Sequence, residues 1–151
     1  MSDLPSPPPH DAALLLDNQL CFALYSTSLA MTKLYKPLLE ALGLTYPQYL
    51  VMLVLWEQDD VSVSTLGERL FLDSGTLTPL LKRMETAGLL RRTRSRDDER
   101  RVDISLTPAG QALKERAATV PACVVSAIHG PLPELRALTK TVQSLRRQLV
   151  A

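Results

Sequence analysis

The sequence predicts a mainly α protein with a small β-wing: a winged helix-turn-helix framed by N- and C-terminal helices. Three observations predict this class. Between Val61 and Gly110, two short helical patterns meet at a tight connection and run into a basic segment and an alternating strand pattern. Leu and Ala abound while aromatics make up only 5%, which favours helices over a β-sandwich. At both ends, apolar residues recur at three- and four-residue steps, as on one face of a helix.

Residues 1–10 contain four prolines, too many for a helix and too polar a setting for a core, so they are predicted to be a disordered tail. One domain then spans residues 11–151, a length sufficient for a real core. A first long helix is expected to begin near Asp11 to Leu15 and run through Leu20, Leu24 and Met31 toward Tyr35. The chain should bend before Pro37, because the residue ahead of a proline avoids helical angles. Leu38, Leu39 and Leu42 extend its apolar face, and Gly43 ends it. Thr45 caps the next helix, with Tyr46 and Pro47 in a first turn where a missing N–H costs nothing. Tyr49 to Trp56 is apolar almost all round, which marks a buried strut far too short to span a membrane.

Ser62 caps a short helix through Leu70, with Leu66 and Leu70 turned inward. Asp73 caps a second one, running to about Ala87. Its Leu77, Leu80, Leu81 and Met84 share one face, and Ser74, Thr78, Lys82 and Glu85 the other. Pro79 lies past the free N–H groups of the first turn, so a bent or loosened first turn is expected. Gly88 supplies a left-handed cap, and Leu89-Leu90 leads into an extended segment. Val102 to Leu106 alternates apolar and polar side chains, as a half-buried strand does, and completes the wing.

Thr107 then caps a helix that starts at Pro108 and runs toward His129, with a kink at Pro121, until Gly130-Pro131-Leu132-Pro133 breaks it. In the last helix Leu135, Leu138, Val142, Leu145 and Leu149 form a seam, and Arg136, Lys140, Arg146 and Arg147 stay outside. Terminal helices with such a seam need a partner, and two copies about a two-fold axis suit a palindromic DNA site. The winged helix-turn-helix thus occupies about residues 45–110, and dimerisation helices about residues 11–43 and 108–150.

The net charge of +1 excludes a globally basic nucleic-acid coat. Charge is concentrated instead: six of the 17 basic residues lie between Arg91 and Arg101, against three acids, Asp97, Asp98 and Glu99. Such a cluster can hold double-stranded DNA. Ser74, Thr76, Thr78, Lys82 and Arg83 are the expected contacts from the second helix in the major groove. Arg94, Arg96, Arg100 and Arg101 are the expected wing contacts to phosphate or the minor groove. An Asp beside a wing Arg can aim its guanidinium through a bidentate pair, and Arg100 with Asp98 could form a purely structural pair.

No stretch has the ~18–20 uncharged apolar residues of a membrane span, and no signal peptide is evident, so a cytoplasmic protein without membrane attachment is expected. Cys21 and Cys123 belong to no Cys-x-x-Cys unit, and His10 and His129 have no partner at ligand spacing, so no metal is assigned. A Gly-rich cofactor loop and a carboxylate–histidine constellation are both missing, so neither a cofactor nor an enzyme is expected.

Leu66-Gly67-Glu68-Arg69-Leu70, Leu80-Leu81-Lys82-Arg83-Met84-Glu85, Ala87-Gly88-Leu89-Leu90, and above all Arg96-Asp97-Asp98-Glu99-Arg100-Arg101 running into Leu106-Thr107-Pro108-Ala109-Gly110, resemble the MarR family. The resemblance covers most of the chain after the tail and implies a dimeric winged-helix repressor. Leu20-Cys21-Phe22-Ala23-Leu24-Tyr25, Leu34-Tyr35-Lys36-Pro37-Leu38 and Leu42-Gly43-Leu44-Thr45-Tyr46-Pro47-Gln48-Tyr49 further resemble its organic-hydroperoxide-sensing branch, the OhrR repressors. That likeness places the peroxide-sensing cysteine at Cys21, its thiolate held by the hydroxyls of Tyr35 and Tyr46, with organic hydroperoxides as the signal and a pseudo-palindromic operator as the DNA partner.

The residue types suit this chemistry. Only a thiolate attacks the peroxide O–O bond, and a free thiol of pKa ~8.5 is mostly protonated at neutral pH. Two phenol donors favour the charged sulfur without adding charge, so the pocket stays apolar. Attack gives a sulfenic acid that condenses with a second thiol, and Cys123 is the one other thiol in the chain. Taken alone, Cys21 reads as a small buried hydrophobe, and Tyr25 and Tyr49 as amphipathic anchors. The alternatives are a repressor released by a small aromatic ligand, with the cysteines incidental, and, in a different class, a thiol peroxidase.

Overall fold

The computed structural model describes residues 9–150. The predicted tail therefore falls largely outside the described residues; its last two positions, Pro9 and His10, open a short helix α1 (Pro9–Ala12). After a 3-10 turn at Leu16–Asn18 come α2 (Leu20–Glu40) and α3 (Tyr46–Glu57), then β1 (Val61–Ser62), α4 (Val63–Leu70) and α5 (Ser74–Thr86). The strands β2 (Leu90–Arg94) and β3 (Val102–Leu106) follow, and α6 (Pro108–Ala117), α7 (Val120–Ile128) and α8 (Leu132–Val150) complete the chain. The sheet is antiparallel in the order β1-β3-β2, with Val61 opposite Ile104 and Leu90 opposite Leu106. This is the winged helix-turn-helix that the sequence predicts.

Local chemistry moves several boundaries. The first long helix starts at Leu20 rather than between Asp11 and Leu15. The Asn18 and Gln19 side-chain amides donate to the carbonyls of Ala12, Ala13 and Leu15, holding the preceding segment in separate turns. Where a bend is expected before Pro37, α2 runs through the proline as one helix to Glu40. Pro37 is exposed, and the carbonyl it leaves unpaired belongs to Lys33, also exposed, where water can satisfy it.

Pro79 likewise sits on an exposed face within α5. The expected loosening of that helix's first turn does not occur, because the Asp73 carboxylate accepts from the Thr76 N–H at 2.8 Å and the Asp73 carbonyl from the Leu77 N–H at 3.0 Å. The single kinked helix expected beyond the wing is two helices, α6 and α7. Pro121 enters α7 in its first turn, where no N–H is required, so it starts a helix instead of bending one. His129, left-handed at φ 57°, ends α7, and α8 begins at Leu132, ahead of Pro133.

The core is built around α3. A full capping box starts this helix, Thr45 with Gln48, and Tyr49, Val51, Met52, Val54 and Leu55 are buried. They pack with Leu39 of α2, Leu66 of α4, Leu77, Leu81 and Met84 of α5, and Leu90 and Ile104 of the wing. The wing is joined to α6 by backbone: the Thr107 N–H donates to the Leu89 carbonyl at 3.1 Å and the Thr107 hydroxyl to Gly88 at 2.6 Å. Gly110 lies so close to this junction that a Cβ there would strike the Leu89 carbonyl, while its own carbonyl accepts from the Trp56 indole at 3.0 Å.

Gly110→Ala should therefore unfold at lower urea concentration than the wild type, with a loss of about 1–3 kcal/mol, since the obstacle is backbone and cannot rotate away. An unchanged midpoint would mean that the α6–wing junction is looser than its geometry indicates.

Candidate functional site

Three groups of residues bear chemistry: the face of α5, the wing, and the thiols with their tyrosines. On α5, Ser74, Thr76, Lys82 and Arg83 are exposed and Thr78 is half-buried. Ser74, Thr78 and Lys82 follow one another at i, i+4 spacing, and Thr76 and Arg83 share a second face about 150° round the helix. An open cleft of about 820 Å³ separates α4 and α5 from the wing, and Ser74, Thr78, Arg100 and Arg101 all line it. Ser64 and Glu68 of α4 line the same cleft and were missed at the sequence level; their signal is the polar face of the first short helix. The Asp73 carboxyl is held below the usual carboxylate range, chiefly by the Thr76 N–H, so the cap is fully charged at neutral pH.

In the wing, the arginines are not equivalent. Arg94 donates to the Glu99 carbonyl at 3.0 Å, and Arg101 donates through Nε to Asp103 at 2.7 Å. The expected Arg100–Asp98 pair forms through the backbone: the Arg100 N–H, not its guanidinium, donates to Asp98 at 3.0 Å. Among the described residues no acid is ion-paired with Arg96 or Arg100. The predicted bidentate aiming of a wing arginine by a neighbouring Asp is thus not seen; among the described residues the one ion pair with both partners in the wing, Arg101 with Asp103, is a single Nε contact, and Asp97 and Asp98 lie in the turn.

A guanidinium does meet a carboxylate through two nitrogens elsewhere, at a residue the sequence reading passed over. Arg92 of β2 sends both Nε and Nη2 to Glu85 Oε1 at 3.3 and 3.2 Å, and its backbone N–H to Oε2 at 2.8 Å. Glu85 was expected on the groove face of α5, but it is half-buried against the wing and fixes the wing's angle to that helix.

Cys21 lies in the first turn of α2 and Cys123 on α7; both are free and exposed, so neither is the small buried hydrophobe of the simpler reading. Tyr35 and Tyr46 do meet, with ring centroids 5.0 Å apart, and buried Tyr49 joins them at 6.0 and 6.4 Å. Burial pushes all three phenols above their ordinary value, and Tyr35 is raised further by its two neighbours, so each remains a neutral donor. Within one chain, however, this cluster cannot reach Cys21. Tyr35 follows Cys21 by fourteen residues on the unbroken α2, an axial distance of about 21 Å.

The surface around Cys21 is apolar and uncovered: Leu20, Phe22, Leu24, Tyr25 and Leu29 are all exposed. The seam of α8 is similar, with Leu138, Val142 and Leu149 exposed and none of its residues buried.

Comparisons with known proteins agree with one another. The family described as transcriptional regulator SarA/Rot matches residues 33–117. The organic hydroperoxide resistance transcriptional regulator of Bacillus subtilis is 51% identical over 134 residues, covering 89% of this chain and 91% of that protein. The structure of reduced AbfR bound to DNA, a protein of Staphylococcus epidermidis, has a TM-score of 0.76 at 34% identity and covers 94% of this chain and 99% of its own. Disulfide-formed AbfR has a TM-score of 0.63 at 36% identity, covering 90% and 96%.

The Glu85 carboxyl is held below the ordinary glutamate range, first by the Arg92 N–H and then by its guanidinium. A carboxyl depressed in the folded state adds stability above its unfolded pKa and loses it as pH falls through the folded value. Urea unfolding followed from about pH 7 to about pH 3 should therefore show a steeper acid loss for wild type than for Glu85→Gln, which starts less stable at neutral pH. Parallel curves would mean that the carboxylate does not hold the wing.

Proposed function

From the premise that this chain belongs to the MarR family of winged-helix transcriptional regulators, in the branch of organic hydroperoxide regulators, we propose that it is a cytoplasmic, homodimeric repressor that releases its operator when Cys21 is oxidised. It is a regulator and not an enzyme. The observation that carries the reading is an exposed thiol in the first turn of α2 and, toward the other end of that helix, Tyr35 paired with Tyr46 of α3 as neutral phenols.

Fourteen residues advance an α-helix by close to four turns, so Cys21 and Tyr35 lie on nearly the same face. Two α2 helices crossing antiparallel about a two-fold axis then set Cys21 of one chain against Tyr35 and Tyr46 of the partner subunit. The same pairing covers Leu20, Leu24 and Leu29, which one chain leaves in water.

The reaction conserves atoms and electrons. The Cys21 thiolate attacks one peroxide oxygen; the S–O bond forms as O–O breaks, and the alkoxide leaves and takes a proton, giving an alcohol and a sulfenic acid. The Cys123 thiol then attacks the sulfenic sulfur, and the hydroxyl leaves with the thiol proton as water. α7 begins beside Pro37, Leu38 and Leu42, with Val120 in the same cleft as these residues. Leu38 lies about 25 Å along α2 from Cys21, so this disulfide joins Cys21 to Cys123 of the partner subunit.

On the DNA side, Ser74, Thr76, Thr78, Lys82 and Arg83 enter the major groove, and Arg94, Arg96, Arg100 and Arg101 follow the backbone or minor groove. The two heads read half-sites about 10 bp or a small multiple apart. DNA binding before and after stoichiometric organic hydroperoxide is the decisive experiment; release reversed by dithiothreitol supports the sensor.

Two outcomes follow. Cys21→Ser should bind operator normally yet keep it after peroxide, since a hydroxyl cannot become the attacking thiolate. Cys123→Ser should stop at the sulfenic acid and show no crosslinked dimer on non-reducing gels. A Cys21→Ser protein that still lets go on oxidation would sink this account in favour of ligand-induced release. Separately, Arg96→Ala should flatten the plot of log affinity against log salt by about 0.9 if it contacts one phosphate; an unchanged slope removes it from the contact set.

A further inference from the structure

The connection between α4 and α5 carries one exposed aromatic ring. Phe71 is 54% exposed and left-handed at φ 58°, ψ 39°, a conformation that a bulky side chain rarely adopts. The turn around it is tight: the Leu72 N–H donates to the Gly67 carbonyl at 3.1 Å, and a Cβ at Gly67 would stand 2.8 Å from the Leu72 carbonyl oxygen. Two residues after Phe71, Asp73 caps α5. A three-residue link thus joins α4 to α5, and Phe71 is its one exposed large apolar side chain.

That ring is not left to solvent alone. The Arg146 guanidinium of α8 lies over it, 4.2 Å from the centroid, within the range of a cation–π contact. α8 has no buried residue, and its half-buried positions are Leu135 and the run Gln143, Ser144 and Leu145 that ends at Arg146. The second of its two approaches to the body of the chain is therefore at the helix-turn-helix turn, 75 residues away in sequence.

We propose that Arg146 is a positioning residue for DNA binding: through Phe71 it ties the C-terminal helix to the turn that aims α5, narrowing the angles the recognition helix samples. It reads no base and touches no phosphate. This goes beyond the thiol switch and rests only on DNA binding by α5. A head that samples more orientations is competent a smaller fraction of the time, and apparent affinity falls by that fraction.

The test uses full-length reduced protein and a duplex that the wild type enriches from a random library. Losing an exposed cation–π contact should weaken binding about two- to fivefold. Arg146→Gln and Phe71→Leu should each show that loss with the salt slope unchanged, Arg146→Lys should recover part of it, and the double variant should be no weaker than either single one. Thermal unfolding of each variant identifies any that fails to fold, and Arg146→Lys, which keeps the cation, then carries the comparison. Wild-type affinity in both single variants, additive losses in the double variant, or a slope flattened by about 0.9 in Arg146→Gln would each overturn the proposal, the last by making Arg146 a phosphate contact. A wild type that enriches no duplex would instead overturn the DNA-binding reading beneath it.

Discussion

A helix that is apolar almost all round must hide most of its surface, so α3 is covered at once by α2, α4, α5 and α6 and keeps Leu53 as its one exposed large apolar side chain. Each fully buried Leu or Met on it is worth about 1.5–3 kcal/mol relative to exposure, and those contacts are shared with the undersides of both reading helices. The geometry of the DNA-facing side is therefore a by-product of how α3 is enclosed. The same helix carries Tyr46 and Tyr49 one turn apart, so the phenol cluster stands on the rod that supports α4 and α5. Displacement of the phenols and displacement of the reading head are not independent events in such a structure.

The second constraint is the rigidity of α2. One unbroken helix separates its thiol from its phenol by about 21 Å, and no rotamer closes that gap. Among the described residues, the apolar side chains beside Cys21 are left exposed. The proposed dimer answers both facts with one arrangement, a second copy packed antiparallel, in which the exposed leucines and the distant phenols would find partners together.

Much of this was legible because it rests on local chemistry. Thr45, Ser62, Asp73 and Thr107 announce helix starts, and all four cap in the structure. The alternation in Val102–Leu106 marks a strand, and the meeting of Tyr35 with Tyr46 follows from the family resemblance. The prolines were harder. Pro37, Pro79 and Pro121 suggest a bend, a loosened turn and a kink, but what a proline does to a helix depends on whether water reaches the orphaned carbonyl or whether the residue falls in a first turn, and neither is written in the local sequence. The roles of Glu85 and Arg146 were hidden for a different reason. Each acts on a residue of another element, Arg92 and Phe71, and periodicity assigns a side chain to a face without saying what lies opposite.

The position of Cys123 shows how a single covalent bond could reach the DNA in the proposed switch. The two α-carbons of a disulfide lie within roughly 7 Å, so in the proposed dimer any larger separation between Cys123 and Cys21 of the partner subunit has to be closed by α7 moving as a unit or unravelling. Val120 and Val124 bury one side of α7, and α6 is locked to the wing through Thr107 and Gly110, leaving Ala118 and Thr119 as the short break between them. A pull on Cys123 must then either strip two valines from the core or drag α6 and the wing after it. Both change the spacing of the two heads, and a half-site pair separated by about 10 bp tolerates little change before one recognition helix faces backbone instead of groove. Because packed interfaces jump between discrete arrangements instead of yielding gradually, the proposed switch would answer one bond with release and not with a graded weakening.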